Sequence, residues 1–178
     1  MKYKKIEKIQ LEKIIKNTSQ RKGINESIIE KDYWVCFVLN YLFNEFNWKH
    51  YFTFKGGTSL SKCFNLIERF SEYIDLVLDS KFLGWDFSDL LTTRSRTQQE
   101  KINKNINKKT AEFLKNEMIP IMFNDFQKIL NEEFDIRIAD NDAQTILFEY
   151  PKSFTSKYLT QSIRIEVGVL STSEPSKK

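Results

Sequence analysis

Lys55-Gly56-Gly57-Thr58-Ser59 sets a lysine, two glycines and two hydroxyls side by side, and an acid, Asp75, follows in an apolar run. The first group suits an anion. Glycines let the backbone come close and take unusual dihedrals. Free amides at a helix start point at the ligand, and the helix dipole favours negative charge. Thr58 and Ser59 add hydroxyls, while Lys55 and Lys62 add positive charge. A tight turn closed by an N-cap would use the same residues without any ligand. The strand expected over Ile74 to Leu78 changes that balance. Acids at i and i+2 of a strand beside such a helix share one face, where they would hold Mg2+ next to the gripped phosphates. The pair would be positions 73 and 75, but position 73 is Tyr73. Glu72 points to the opposite face of a regular strand. A further carboxylate is expected from Ser162 to Gly168, where Ile163, Ile165 and Val167 alternate with Arg164 and Glu166. Glu166 reads equally as an ordinary exposed acid paired to Arg164.

Composition narrows the chemistry. His50 is the only histidine among 178 residues, which argues against His-rich zinc sites, Ser/His triads and Cys/His dyads. His50 fits the turn into a strand. The work falls to carboxylates, lysines and metal. A net charge of +4 is compatible with a polyanionic partner without requiring one. Cys36 and Cys63 make no disulfide framework, so a reduced, cytoplasmic setting is expected. The N-terminus has no signal-peptide core, and Asn40, Asn44 and Glu45 interrupt the longest apolar stretch, so no membrane span is expected.

The elements that must position these groups follow from periodicity. Ile6, Ile9, Ile14 and Ile15 suggest a helix over Lys4 to Asn17, broken at Gly23 and Asn25. Ser27-Ile28-Ile29-Glu30 reads as a capping box opening a buried helix to about Asn44. Tyr51 to Phe54 is β-rich, Thr58 to Glu68 helical, and Lys81 to Asp89 loop-like. From about Leu91 to Met118 the pattern is helical and very polar: a solvated face, or a basic arm over a nucleic-acid backbone. Pro120 fits the start of another helix, to Ile129 or Leu130. Alternation over 134–138, 146–150 and 163–167 predicts three half-buried strands, with a turn in ADNDAQ between the first two.

The stretch KGGTSLSKCFNLIERFSEYIDLVLD closely resembles the signature of the AbiEii-type nucleotidyltransferase toxins, from type IV toxin–antitoxin systems, within the DNA-polymerase-β-like nucleotidyltransferase superfamily. The likeness rests on Lys55, Gly56, Gly57, Thr58, Ser59, Lys62, Arg69, Ser71, Glu72 and Asp75, with IIEKDYWV upstream and IRIEVG downstream. It implies an α/β (α+β) fold, a nucleotidyltransferase-like mixed sheet flanked by helices. It implies transfer of a nucleotide from an NTP to an RNA acceptor, in related toxins the tRNA 3′ end, as part of phage defence by abortive infection. A DNA-binding antitoxin is the partner it implies. By the same resemblance Lys55, Gly56, Gly57, Thr58 and Ser59 hold the triphosphate, Asp75 and Glu166 hold Mg2+ and help activate the attacking hydroxyl, and Lys62 neutralises phosphate unless its side chain lies outside the site.

Two departures stand out. The family has Asp where this chain has Tyr73, and a phenol is neutral at pH 7 and a poor Mg2+ ligand. Losing that carboxylate should slow transfer at least roughly 100-fold, about 2.7 kcal/mol. A catalytically impaired toxin is therefore expected, with a non-catalytic pseudo-enzyme that binds NTP or antitoxin as the alternative. The chain also stops soon after Glu166, so residues 1–178 are expected to form one nucleotidyltransferase-like domain without the C-terminal helical part usual in the family.

Overall fold

The computed structural model describes residues 6–67, 72–86, 92 and 94–169. Arg69, Ser71 and Asp89 therefore lie outside the described residues. Helix α1 (Lys8–Lys22) runs to Gly23, whose left-handed φ of 64° lets its amide return to the Ser19 carbonyl. Of the four isoleucines that suggested this helix, Ile15 is buried, while Ile9 and Ile14 are exposed.

Helix α2 (Glu26–Asn40) starts differently from the expected capping box. Asn25 is its N-cap and accepts from the Ser27 amide. Glu30 is buried instead, and its carboxylate accepts from the amides of Ser153 (2.7 Å) and Phe154 (3.2 Å). Burial pushes the Glu30 carboxyl up, against the pull of those two amides. A π-helical turn (Tyr41–Glu45) prolongs α2 to the predicted length. His50 sits in the turn leading into strand β1 (Phe52–Lys55), as expected.

The glycine pair opens α3 (Gly56–Lys62), which ends before the predicted Glu68: Asn65 has φ 52° and the Leu66 amide folds back to the Leu60 carbonyl. Strand β2 (Tyr73–Leu78) follows. Helix α4 (Arg96–Phe113) is opened by a true capping box, Ser95 with Gln98. It passes through a second π-helical turn (Leu114–Met118) into α5 (Ile119–Ile129). Strands β3 (Asp135–Ala139), β4 (Asp142–Glu149) and β5 (Ile163–Gly168) follow.

The five strands form one mixed sheet in the order β1-β2-β5-β4-β3. Only β2 and β5 are parallel. Strand alternation divides the sheet in two. Ile74, Leu76, Leu78, Ile146, Phe148, Ile163, Ile165 and Val167 are all buried in the core. They pack with an aromatic cluster in which Trp34 stacks on Tyr150 (5.7 Å) and Phe126 meets Phe37 and Phe148 edge-on (5.1 Å each). Each such ring buried contributes about 1.5–3 kcal/mol. The other face carries the polar groups of the site. No helix among the described residues is long and apolar enough to cross a membrane.

Candidate active site

Four strands bring their polar residues into one row. Lys55 of β1 pairs with Asp75 of β2, Asp75 with Glu166 of β5, and Glu166 with Thr145 of β4. Residues directly opposite in a ladder share a face at the strand spacing of about 4.8 Å. The two carboxylates therefore stand side by side with a lysine at one end. Lys55, Asp75, Asp142, Gln144 and Glu166 line an open cleft of about 230 Å3.

Gly56 sets where Asp75 sits. Its φ is +76°, and a Cβ there would lie 1.9 Å from Asp75 Oδ2. Both backbone and space require glycine. The start of α3 is thereby held against the carboxylate, with first-turn amides that have no acceptor within the helix. The Thr58 hydroxyl donates to the Tyr73 carbonyl and is fully buried, tying α3 to β2. Ser59 is buried beside it. Lys62 pairs with Asp32 of α2.

Asp75 is held above the usual carboxylate range, first by burial and then by the charge of Glu166, with Lys55 working against both. Two like charges at this spacing resist joint ionisation, and a cation between them removes the conflict. An all-oxygen, anionic donor set suits a hard divalent ion such as Mg2+. Among the described residues no group of three or more His, Cys, Asp and Glu side chains gathers to hold a metal. Asp75 and Glu166 are the two carboxylates of the cleft placed side by side that could hold such an ion.

Tyr73 occupies the place next to Asp75 on the same face, 43% exposed and opposite Arg164. The Arg164 guanidinium lies 5.7 Å from its ring centroid, and Arg164 Nε lies 3.5 Å from Glu166 Oε1. Both sequence readings of Glu166 thus have a geometric basis: it borders the cleft, and it has an arginine neighbour. Glu72 faces away, 2.5 Å from the Lys31 ammonium, and does not line the cleft.

Asp142 was read as part of a turn, yet its carboxylate accepts from Thr145 Oγ1 (2.6 Å) and the Gln144 amide (2.9 Å), which hold it below the usual range. Gln144 in turn donates to the Val167 carbonyl of β5 (3.1 Å). The spacing Asp-x-x-Thr was the one local sign of this arrangement.

A family model described as "Nucleotidyl transferase AbiEii toxin, Type IV TA system" matches residues 38–178. No curated protein matches the chain, and neither does any solved structure.

Proposed function

Because the chain belongs to the AbiEii family of nucleotidyl transferase toxins of type IV toxin–antitoxin systems, we propose that its cleft moves a nucleotidyl group from an NTP to an RNA acceptor, slowly in this chain because of Tyr73. Membership brings a nucleotide substrate and an antitoxin partner. The finer reading takes the tRNA 3′ end as acceptor, the cytoplasm as the setting, and Mg2+ as the ion. The observation that carries it is the row Lys55, Asp75, Glu166, Thr145 in register across four strands, with Gly56 pressed against Asp75.

In this reading the amides of Gly56, Gly57, Thr58 and Ser59 receive the triphosphate, and Lys55 offsets its charge. Lys62 reaches phosphate only by leaving Asp32. Mg2+, when bound, would neutralise phosphate charge and lower the barrier to attack. Asp75 and Glu166 would help activate the attacking hydroxyl, whose proton passes to a carboxylate oxygen left free of the ion or to water. The new P–O bond forms at the α-phosphorus as the bond to pyrophosphate breaks. Glu166 completes the anionic pair.

One feature favours a second reading, a pseudo-enzyme that binds NTP or antitoxin without turnover. Arg164 spans Tyr73 and Glu166, so a protein cation already adjoins one carboxylate. Label transfer from each α-labelled NTP to total tRNA with Mg2+, run beside Tyr73→Asp, separates the two. The transferase reading expects Tyr73→Asp to raise the rate roughly 100-fold or more. Equal rates in both chains would remove Tyr73 as the cause of impairment. Nucleotide-induced stabilisation with no product from either chain would favour the pseudo-enzyme.

A further inference from the structure

The side chain of Lys31 is 1% exposed, on the face of the sheet opposite the cleft. Its ammonium donates to Glu72 Oε2 at 2.5 Å and to the Thr160 carbonyl at 2.6 Å. Glu72 immediately precedes β2, and Thr160 lies just before β5. These are the two parallel strands that hold Asp75 and Glu166. A hairpin takes its register from its turn, but a parallel pair so distant in the chain has no turn to set it. A slip of one residue would carry Glu166 to the apolar face and Ile165 into the cleft.

A buried ammonium costs several kcal/mol unless its partners are well placed, and an apolar side chain would fill the same space without that cost. The neighbouring residue works on the same connection. Glu30 holds the Ser153 and Phe154 amides, and the Gln161 side chain closes on the Phe154 carbonyl. Two successive residues of α2 thus pin both ends of the segment that leads from β4 into β5.

We propose that Lys31 is a positioning residue for the cleft: its two bonds fix the β2–β5 register and so keep Asp75 opposite Glu166. This rests on reading those carboxylates as a cation-binding pair. The test is Mn2+ affinity, measured by paramagnetic resonance on the unsubstituted chain, Lys31→Met, Glu72→Gln and the double variant, with amide exchange followed in parallel. Each single substitution is expected to weaken Mn2+ binding about 10-fold or more, as lost supporting contacts at metal sites do. The double variant should be no weaker than the weaker single one. Exchange should quicken along β2–β5 while β3–β4 stays protected. Folded variants that melt earlier yet keep Mn2+ affinity within about twofold would overturn the proposal, leaving Lys31 a role in stability alone. If Lys31→Met does not fold, Glu72→Gln decides by itself: weakened binding supports the proposal and unchanged binding overturns it. If the unsubstituted chain binds no Mn2+, the cation reading of the cleft fails and takes the proposal with it.

Discussion

Strands β2 and β5 present two surfaces with opposite physics. On one, Ile74, Leu76, Ile165 and Val167 are sealed into the core, and each removes apolar area from water. On the other, Asp75 and Glu166 stand in register, and the charge of Glu166 adds to burial in raising the cost of ionising Asp75. The first surface stabilises the fold and has no chemistry. The second carries the proposed site, and there the ionised form of Asp75 is disfavoured. Alternation along the strand is what lets adjacent residues serve such different ends.

Substitution on either face should therefore give distinct signatures. The largest effect is expected on the covered side. Phe126 is fully buried and packs on Phe37, Tyr41, Phe134 and Phe148. Phe126→Ala should cost about 3–5 kcal/mol in a urea melt. Cation affinity of the fraction still folded should be unchanged, because none of the four rings it packs on lines the cleft. A parallel loss of Mn2+ affinity would show that the two faces are not separable.

A smaller stability effect with a larger functional one is expected at the junction. Gly56→Ala puts a methyl where Asp75 Oδ2 now lies and forces a side chain into a left-handed backbone. We expect a stability loss of about 1–2 kcal/mol together with cation affinity lowered about 10-fold or more. Calorimetry under denaturant and Mn2+ titration read the two separately. Loss of stability with intact binding would mean that Asp75 is not set by Gly56.

How much of this was legible in the sequence differs between the faces for a physical reason. The apolar alternation of 134–138, 146–150 and 163–167 is local, and β3, β4 and β5 fall there. The facing of Glu166 and Arg164 followed from the same period. A neighbouring strand carrying Glu166 was expected, and β5 is that neighbour, but the strand order and the parallel register were not legible. Nothing near Asp75 says that β5, some ninety positions on, lies beside it in parallel. The same non-locality hid α2's buried charges. Ser27 and Glu30 have capping-box spacing, but the partners of Glu30 lie more than 120 residues away, and burial there outweighs a local cap. Lys31 looks like a surface lysine because its partners, Glu72 and the Thr160 carbonyl, lie 41 and 129 residues away. Asn25, two residues before Ser27, does the capping. The polar stretch of α4 read correctly as a helix, and Ile106, Thr110 and Phe113 supply its buried edge.

The raised Asp75 carboxyl allows the division between faces to be measured at one atom pair. An acid whose folded pKa lies above its unfolded one holds more protons in the native state, so stability falls as pH rises through that interval. At neutral pH, ionised Asp75 therefore weakens the metal-free protein, and removing its charge should relieve that. The decisive measurement is the thermal midpoint of the unsubstituted chain and of Asp75→Asn near pH 7, each without and with Mg2+. The account predicts that Asp75→Asn melts higher than the unsubstituted chain in metal-free buffer, that Mg2+ raises the midpoint of the unsubstituted chain, and that Mg2+ leaves the variant unchanged. A variant that melts lower, or that Mg2+ stabilises as well as it does the unsubstituted chain, would contradict the assignment of Asp75 as the strained cation ligand of this cleft.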